Sequence, residues 1–294
     1  MNLNHELPPV EWKHEENIKG LFVTDFDGTL LRSDRTFAES DLRALEGLKE
    51  RGIARVIATG RSMFSFNKAA DPNLPVDYII FSTGAGVVQY PQETIVKEAH
   101  LESGEVKHAA AVLLENQLDF MIHRPIPENH KFAYFASGTE NSDFENRISL
   151  YSPHAFPLDP LVDGFGPATQ LLAVLQPSRD LSILGMIRKK LSGLNVIQTT
   201  SPLDGKSIWV EIFPASVSKS HTAGWLAGKL GVKTKDVLSL GNDYNDLDLL
   251  EWAGTSFVVD NAPEELKKRF ATVSSNNRCG VAEAVQRWID KKPF

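Results

Sequence analysis

The chain has 294 residues, of which 42% are apolar and 23% charged, and a net charge of −7, the balance of an ordinary globular enzyme of one large or two ordinary domains. It has no basic run of the kind a nucleic acid demands, and no apolar stretch approaches the roughly 18 residues that cross a bilayer. Cys279 is the single cysteine, which excludes an intrachain disulfide and makes the cytoplasm the expected compartment.

Met1–Lys19 is polar, carries Pro8 and Pro9 and lacks an apolar segment, so it reads as a loose lead-in and not as a signal peptide. Leu21-Phe22-Val23-Thr24 predicts a buried strand that breaks at Gly28, placing Asp25 and Asp27 on one side of its carboxyl end. Two carboxylates there repel each other and lose solvation, so they need a cation or a chemical task. A helix is predicted over 39–50, with Leu42, Leu45 and Leu48 at helical spacing and a stop at Gly52. Strands over 54–58 and 78–81 follow, ending in Thr59-Gly60-Arg61 and Ser82-Thr83-Gly84-Ala85, with a helical stretch through Ala70 between them. This alternation predicts an α/β fold with a doubly wound parallel sheet, whose chemistry gathers at the carboxyl ends of the strands.

From about Val87 the pattern changes. Strands are expected over 87–90, 95–98, 118–123 and 171–175, helices over 105–116 and 181–191, and an irregular lid-like stretch over 125–167. Strands over 195–199 and 208–213 should pair antiparallel across Ser201–Gly205. Alternation resumes with a helix over 218–230, a strand over 237–240, a helix over 246–252, a strand over 256–259, and helices over 263–270 and 281–291. The expected division is a split core, residues 1–86 (1–18 being the lead-in) with 212–294, around an inserted α+β cap of 87–211. Trp209, Trp225 and Trp252 lie in apolar segments and are expected in the core. No His pair has zinc-site spacing. The polar cap residues His123, Arg124, His130, Lys131, Asn141, Asp143 and Arg147 include candidates for substrate contact, although surface solvation explains most of them.

The Asp25/Asp27 pair suits phosphoryl transfer. One carboxylate can attack phosphorus to give an aspartyl-phosphate, and the other can protonate the leaving oxygen and then deprotonate water. The bland alternative is a turn whose two Asp side chains cap local amides. Asp25-Phe26-Asp27-Gly28-Thr29-Leu30 resembles the first motif of the haloacid dehalogenase superfamily of aspartate-nucleophile phosphatases. Thr59-Gly60-Arg61, Ser218-Lys219 and Gly241-Asn242-Asp243-Tyr244-Asn245-Asp246 resemble its second, third and fourth motifs, in order. Ala58-Thr59-Gly60-Arg61 is similar to the Cof-type branch, which carries a large α/β cap; Thr83 stands where that branch has Asn.

The resemblance implies a Mg²⁺-dependent phosphatase. Asp25 is then the nucleophile and Asp27 the general acid/base, while Thr59, Gly60 and Lys219 hold the phosphate. Asp25, the Asp27 carbonyl and the Asn242–Asp246 loop hold the metal. The implied substrate is a small phosphorylated metabolite, sugar phosphates foremost. At Asn242 the motif normally has Asp; an amide oxygen can ligate but brings no charge. Asp243 then serves either as the ligand, by a one-residue shift, or as a neighbouring charge that orients waters, and the spacing favours the second. Asp246 keeps its place, acting through a water. Two other readings share the core: a phosphomutase or phosphotransferase, and a phospho-metabolite-binding protein without turnover.

Overall fold

The computed structural model describes residues 18–158 and 166–292; most of the lead-in lies outside them. Two compact units result: Ala99–Val217 is one, and the described residues before and after it are the other.

The split unit is built on β1 (Gly20–Thr24), β2 (Ile53–Ala58), β3 (Tyr78–Phe81), β4 (Gly86–Gln89) and β5 (Thr94–Glu98). The inserted unit carries β6 (Asp119–His123), β7 (Phe132–Phe135), β8 (Ala155–Pro157), β9 (Gln170–Leu175), β10 (Leu194–Thr200) and β11 (Ile208–Pro214). The split unit resumes with β12 (Val237–Gly241), β13 (Thr255–Val259) and β14 (Ala271–Val273). Its sheet runs β14-β13-β12-β1-β2-β3-β4-β5, parallel from β14 to β3 and antiparallel at β4 and β5. β1 and β2 are buried along their whole length, as a sheet covered on both faces requires.

The helices of this unit are α1 (Glu39–Glu50) and α2 (Met63–Phe66) and, numbering through the insertion, α6 (Lys219–Lys229), α7 (Leu247–Trp252), α8 (Glu264–Arg269) and α9 (Gly280–Lys291). The insertion holds α3 (Ser103–Glu115), α4 (Ser142–Leu150) and α5 (Ser182–Lys190). None of the described helices is long and apolar enough to cross a membrane.

Four expectations are corrected. The strands expected to open the cap, β4 and β5, belong to the split unit's sheet. Val87 and Val96 sit in its apolar cluster beside Ile80 and Val56, because the 82–85 turn folds β4 straight back onto β3. At the other boundary, β11 stays paired with β9 and β10 to Ile212 and Pro214, so the insertion runs 99–217 and not 87–211. The stretch expected to be irregular contains β7, α4 and β8, and its residues 159–165 lie outside the described ones. After Arg61, α2 is four residues long where a helix to Ala70 was expected.

The inserted unit's sheet has the order β10-β11-β9-β6-β7-β8, with the predicted antiparallel β10–β11 pair. One face packs on α3 and α5 through Phe120, Leu171, Ala173, Val210 and Ile212. The other bears Met121, Leu172, Val174 and Trp209 against Phe144 and Ile148 of α4. Trp209 is therefore core, while Trp225 and Trp252 pack half-buried against the split unit's cluster.

In the split unit, Asp41 of α1 is fully buried and accepts the Ala282 amide of α9 at 2.8 Å through Oδ1; its Oδ2 has no hydrogen-bond partner among the described residues. Burial pushes this carboxyl up from 3.8 to about 6, against the pull of the Ala282 amide and Arg32. The folded protein thus holds the proton more tightly than the unfolded chain does. Asp41 therefore costs stability above about pH 6, and the cost fades as pH falls towards about 4. Asp41→Asn should be more stable than wild type by about 1–3 kcal/mol near pH 8, with the difference closing near pH 4 in urea unfolding. An unchanged difference across that range would contradict it.

Candidate active site

The site collects at the carboxyl edge of the parallel strands. Asp25, Thr59 and Asn242 each follow directly on the ends of β1, β2 and β12, three adjacent strands. The Asp25 amide extends the ladder by donating to Leu240 O at 2.9 Å, and the Thr59 amide donates to Ile80 O at 2.8 Å. The β1 alternation does not continue to Asp27. The strand ends at Thr24, and the buried Phe26 takes the amides of Thr29, Leu30 and Leu31 on its carbonyl. Its ring packs 4.8 Å from Phe66. The two carboxylates accordingly meet different partners.

Asp25, 5% exposed, accepts Lys219 Nζ on Oδ1 at 2.7 Å, and the fully buried Lys219 also donates to Asp246 Oδ1 at 2.5 Å. Asp246, also fully buried, receives the Asn242 and Asp243 amides on Oδ2 at 2.8 and 3.1 Å. Burial, joined by Asp246 and Asp27, pushes the Asp25 carboxyl up to about 7 against the pull of Lys219. Burial disfavours the Lys219 ammonium, yet Asp246 and Asp25 outweigh it and hold the group charged, above the usual lysine range.

Lys219 opens α6, where a cation meets the positive end of the helix dipole; the two carboxylates compensate. The turn after β3 sets its place. Ser82, Thr83 and Gly84 all have positive φ (47°, 57° and 108°), a conformation that disfavours β-branched Thr83. Gly84 is required there: a Cβ would lie 2.4 Å from Ser218 O. Its carbonyl accepts Thr222 Oγ1 of α6 at 2.8 Å, while the Thr83 amide donates to Thr59 O at 2.9 Å.

Asp27 is held by Arg61, whose Nε and a terminal nitrogen each lie 2.7 Å from its two oxygens. A bidentate fork of this kind fixes the carboxylate plane. Arg61 also donates to Ser65 O at 3.0 Å, and its own amide donates to Thr59 Oγ1 at 3.1 Å. Gly60 lies between Thr59 and Arg61, and a Cβ there would come no nearer than 3.6 Å to Thr83 Oγ1.

Asn242 reaches back to the first loop. The inner atom of its carboxamide is 3.1 Å from Asp25 Oδ2, 3.2 Å from Asp27 O and 3.1 Å from Thr29 Oγ1. Around an octahedral Mg²⁺ with oxygens at roughly 2.0–2.1 Å, neighbouring ligands stand about 2.9 Å apart, so these donors fit a small hard cation. Among the described residues no three His, Cys, Asp or Glu side chains gather as a metal cluster; the set is a carboxylate, a backbone carbonyl and an amide. Of the other expected metal ligands, Asp243 accepts the Tyr244 amide at 2.8 Å and caps the turn Tyr244–Asp246, and Asp246 faces Lys219 and the loop's own amides.

Three asparagines brace the loop beyond Asp27, and the sequence reading missed them. Asn261 Nδ2 donates to Gly28 O at 2.8 Å and Asn276 Nδ2 to Leu31 O at 3.0 Å. Asn277 accepts the Ser33 amide at 3.1 Å. They follow β13 and β14, so polar residues just past strand ends at this same edge were the available signal. Arg61 had been quoted only as part of a motif.

The polar set of the insertion separates. Arg124 and Lys131 both pair with Glu128 at the surface. Asn141 donates to Asp119 and to Val174 O, and Asp143 accepts Ser201 Oγ and Trp209 Nε1, each at 2.7 Å; both are structural. His130 meets His154 edge-on, ring centroids 4.8 Å apart. His123 is buried with Nδ1 2.8 Å from Asn129 O and, among the described residues, no hydrogen-bond partner on Nε2; burial, with the Arg147 charge, pushes it down to about 3. Arg147 stacks 4.4 Å over Trp209. Sheet register places Gln170 opposite His123, and Glu211 on the same face. Both are buried, and Gln170 Oε1 is unpartnered. A Glu inside Ile208-Trp209-Val210-Glu211-Ile212-Phe213 was a legible sign.

The split unit is an α/β core with buried carboxylates at its strand ends, interrupted by one long insertion. The chain matches the haloacid dehalogenase-like hydrolases over residues 22–285 and belongs to that family. The inserted α/β cap is that of its Cof-type branch. It is similar to 5-amino-6-(5-phospho-D-ribitylamino)uracil phosphatase YwtE of Bacillus subtilis, 25% identical over 90% of this chain and 96% of that one. The Bacillus subtilis stress response protein YhaX is 24% identical over 92% and 93%. Among solved structures, a superfamily phosphatase from Bacteroides thetaiotaomicron has a TM-score of 0.72 at 19% identity, covering 94% of this chain and 97% of its own. A subclass IIB sugar phosphatase has a TM-score of 0.71 at 18%, covering 92% and 99%.

Removing the shared cation should be costly. Lys219→Met strands two buried carboxylates and should lower stability by about 3–5 kcal/mol in urea unfolding at neutral pH. Adding Asp246→Asn should recover part of the loss. A second substitution that merely adds its own cost would show that the two carboxylates are not coupled through Lys219.

Proposed function

We propose that the protein is a Mg²⁺-dependent phosphomonoesterase that works through an aspartyl-phosphate on Asp25. The observation that carries the reading is the Asp25 carboxylate itself: buried, held by Lys219 on one oxygen, and with the other 3.1 Å from the Asn242 carboxamide, which also reaches the Asp27 carbonyl. Asp25 attacks phosphorus in line; the new Asp25 O–P bond forms as the ester P–O bond breaks. Asp27 gives the leaving oxygen its proton, then takes one from the water that attacks phosphorus and frees Asp25. Lys219 offsets the charge gathering on the phosphoryl oxygens, and Thr59 with Gly60 presents a hydroxyl and amides to them. Arg61 keeps Asp27 in one orientation through both transfers. Asp25, the Asp27 carbonyl and Asn242 would hold Mg²⁺, with Asp243 and Asp246 shaping the loop; the ion would supply positive charge between nucleophile and phosphate.

The substrate class is a small metabolite phosphorylated on a polyhydroxylated chain, a sugar phosphate foremost. A relative named for a phosphoribityl substrate and a structural neighbour titled a sugar phosphatase support this.

Asp25→Asn should lower phosphate release by at least about 10³-fold while leaving the fold intact by circular dichroism. Asp27→Asn should cost about 10²–10⁴-fold on a sugar phosphate and much less on an aryl phosphate, whose leaving group needs no proton. Near-wild-type turnover in the first variant, or equal losses on both substrates in the second, would overturn the assignments.

A further inference from the structure

The Asn242 carboxamide has two ends, and its surroundings discriminate between them. The inner atom faces Asp25 Oδ2, Asp27 O and Thr29 Oγ1 at 3.1, 3.2 and 3.1 Å. A carboxylate oxygen and a carbonyl oxygen can only accept, so in the cation-free protein the amide nitrogen belongs there, donating to both. Those oxygens are also the donors that fit a hard divalent cation. Such an ion needs a lone pair from residue 242, which the NH₂ cannot give and the amide oxygen can. A half-turn about the last side-chain bond exchanges the two ends with almost no movement of heavy atoms.

We propose that Asn242 is an amide latch: its NH₂ bridges Asp25 and Asp27 until a divalent cation enters, and entry turns the amide to present its oxygen. This rests on the phosphatase reading and adds the regulation of that site. The charge balance shows why an amide suits the role. Asp25, Asp27 and Asp246 face Lys219 and Arg61, three carboxyl groups against two cations. A fourth carboxylate at 242 would bind the ion more tightly but leave the cation-free site repelling itself. With an amide, the cation-free protein stays ordered and affinity is lower, so occupancy follows the free Mg²⁺ concentration. Beside the outer end of the amide residue 28 must be glycine, because a Cβ there, at φ +72°, would lie 2.7 Å from it.

The test uses full-length protein stripped with chelator. Asn242→Asp should bind Mg²⁺ at least about tenfold more tightly by calorimetry, yet melt several degrees below wild type in chelator. Asn242→Leu, close in size and without either amide function, should melt lower in chelator and lose Mg²⁺ affinity. In wild type, the side-chain NH₂ signal of Asn242, identified by its loss in Asn242→Asp, should be protected from solvent exchange in chelator and lose that protection on Mg²⁺ addition. Protection that persists with Mg²⁺ bound, or an Asn242→Asp protein that melts at or above wild type in chelator, would overturn the latch. None of these readouts requires turnover. Failure of the phosphatase reading would show separately, as absence of Mg²⁺-dependent phosphate release by wild type.

Discussion

A single buried ammonium organises the split unit. Lys219 has no exposed surface, and in that position an uncompensated charge would cost several kcal/mol. Its two partners come from chain segments far from it and from each other: Asp25 is 194 residues away and Asp246 is 27. Bringing the three to within hydrogen-bond distance requires β1, β12 and the start of α6 to end at the same height of the sheet. The ion triplet is thus a geometric condition on the fold as well as a feature of the site. It also ties the two halves of the split unit together across the insertion, since Asp25 lies before it and Lys219 and Asp246 after it.

Around that centre the backbone is held in conformations it would not choose. Three consecutive residues with positive φ after β3 leave no room for a side chain at Gly84, and the turn grips α6 by its first turn. Such strain persists only where surrounding structure over-determines it. Here the hydrogen bond from the Thr83 amide to Thr59 O ties the same turn to the end of β2. The loops that carry Asp27 and Thr59 therefore share one support with Lys219. On the far side, Asn261, Asn276 and Asn277 replace strand pairing with side-chain amides, so the segment after Asp27 is fixed without being part of the sheet.

The legibility of all this from residues alone was uneven for physical reasons. Buried parallel strands are continuous apolar runs, so β1, β2, β3 and β12 were plain, and with them the edge where Asp25, Thr59 and Asn242 sit. β4 and β5 were plain as strands but misassigned, because an apolar run does not say which sheet it joins; the tight turn at 82–85 does, and its glycine was read only as part of a motif. α4 was hidden by its polar exposed face, which made Ser142–Leu150 look like loop. Asp27 shows the limit of periodicity. The alternation rule holds only while the strand lasts, and a strand that ends at Thr24 says nothing about where a carboxylate three residues later points. Partners across long sequence distance, such as Arg61 on Asp27 or Asn276 on Leu31, leave no local periodic trace.

The position where the chain departs from its family's motif is the one whose chemistry the structure explains most fully. Asp243, next along, caps Tyr244 with its carboxylate and donates its amide to Asp246. A one-residue shift of the loop would break both bonds and pull the Asn242 and Asp243 amides off Asp246, unbalancing Lys219 in turn. The loop register is therefore locked by the same carboxylate that neutralises the buried lysine. With the register locked, residue 242 is the side chain from this loop that meets Asp25 and the Asp27 carbonyl, whatever its charge. An asparagine there brings no charge of its own to a site where Arg61 already pairs with Asp27 and Lys219 with Asp25 and Asp246, so it can reach both Asp25 and the Asp27 carbonyl without adding to the repulsion among the carboxyl groups.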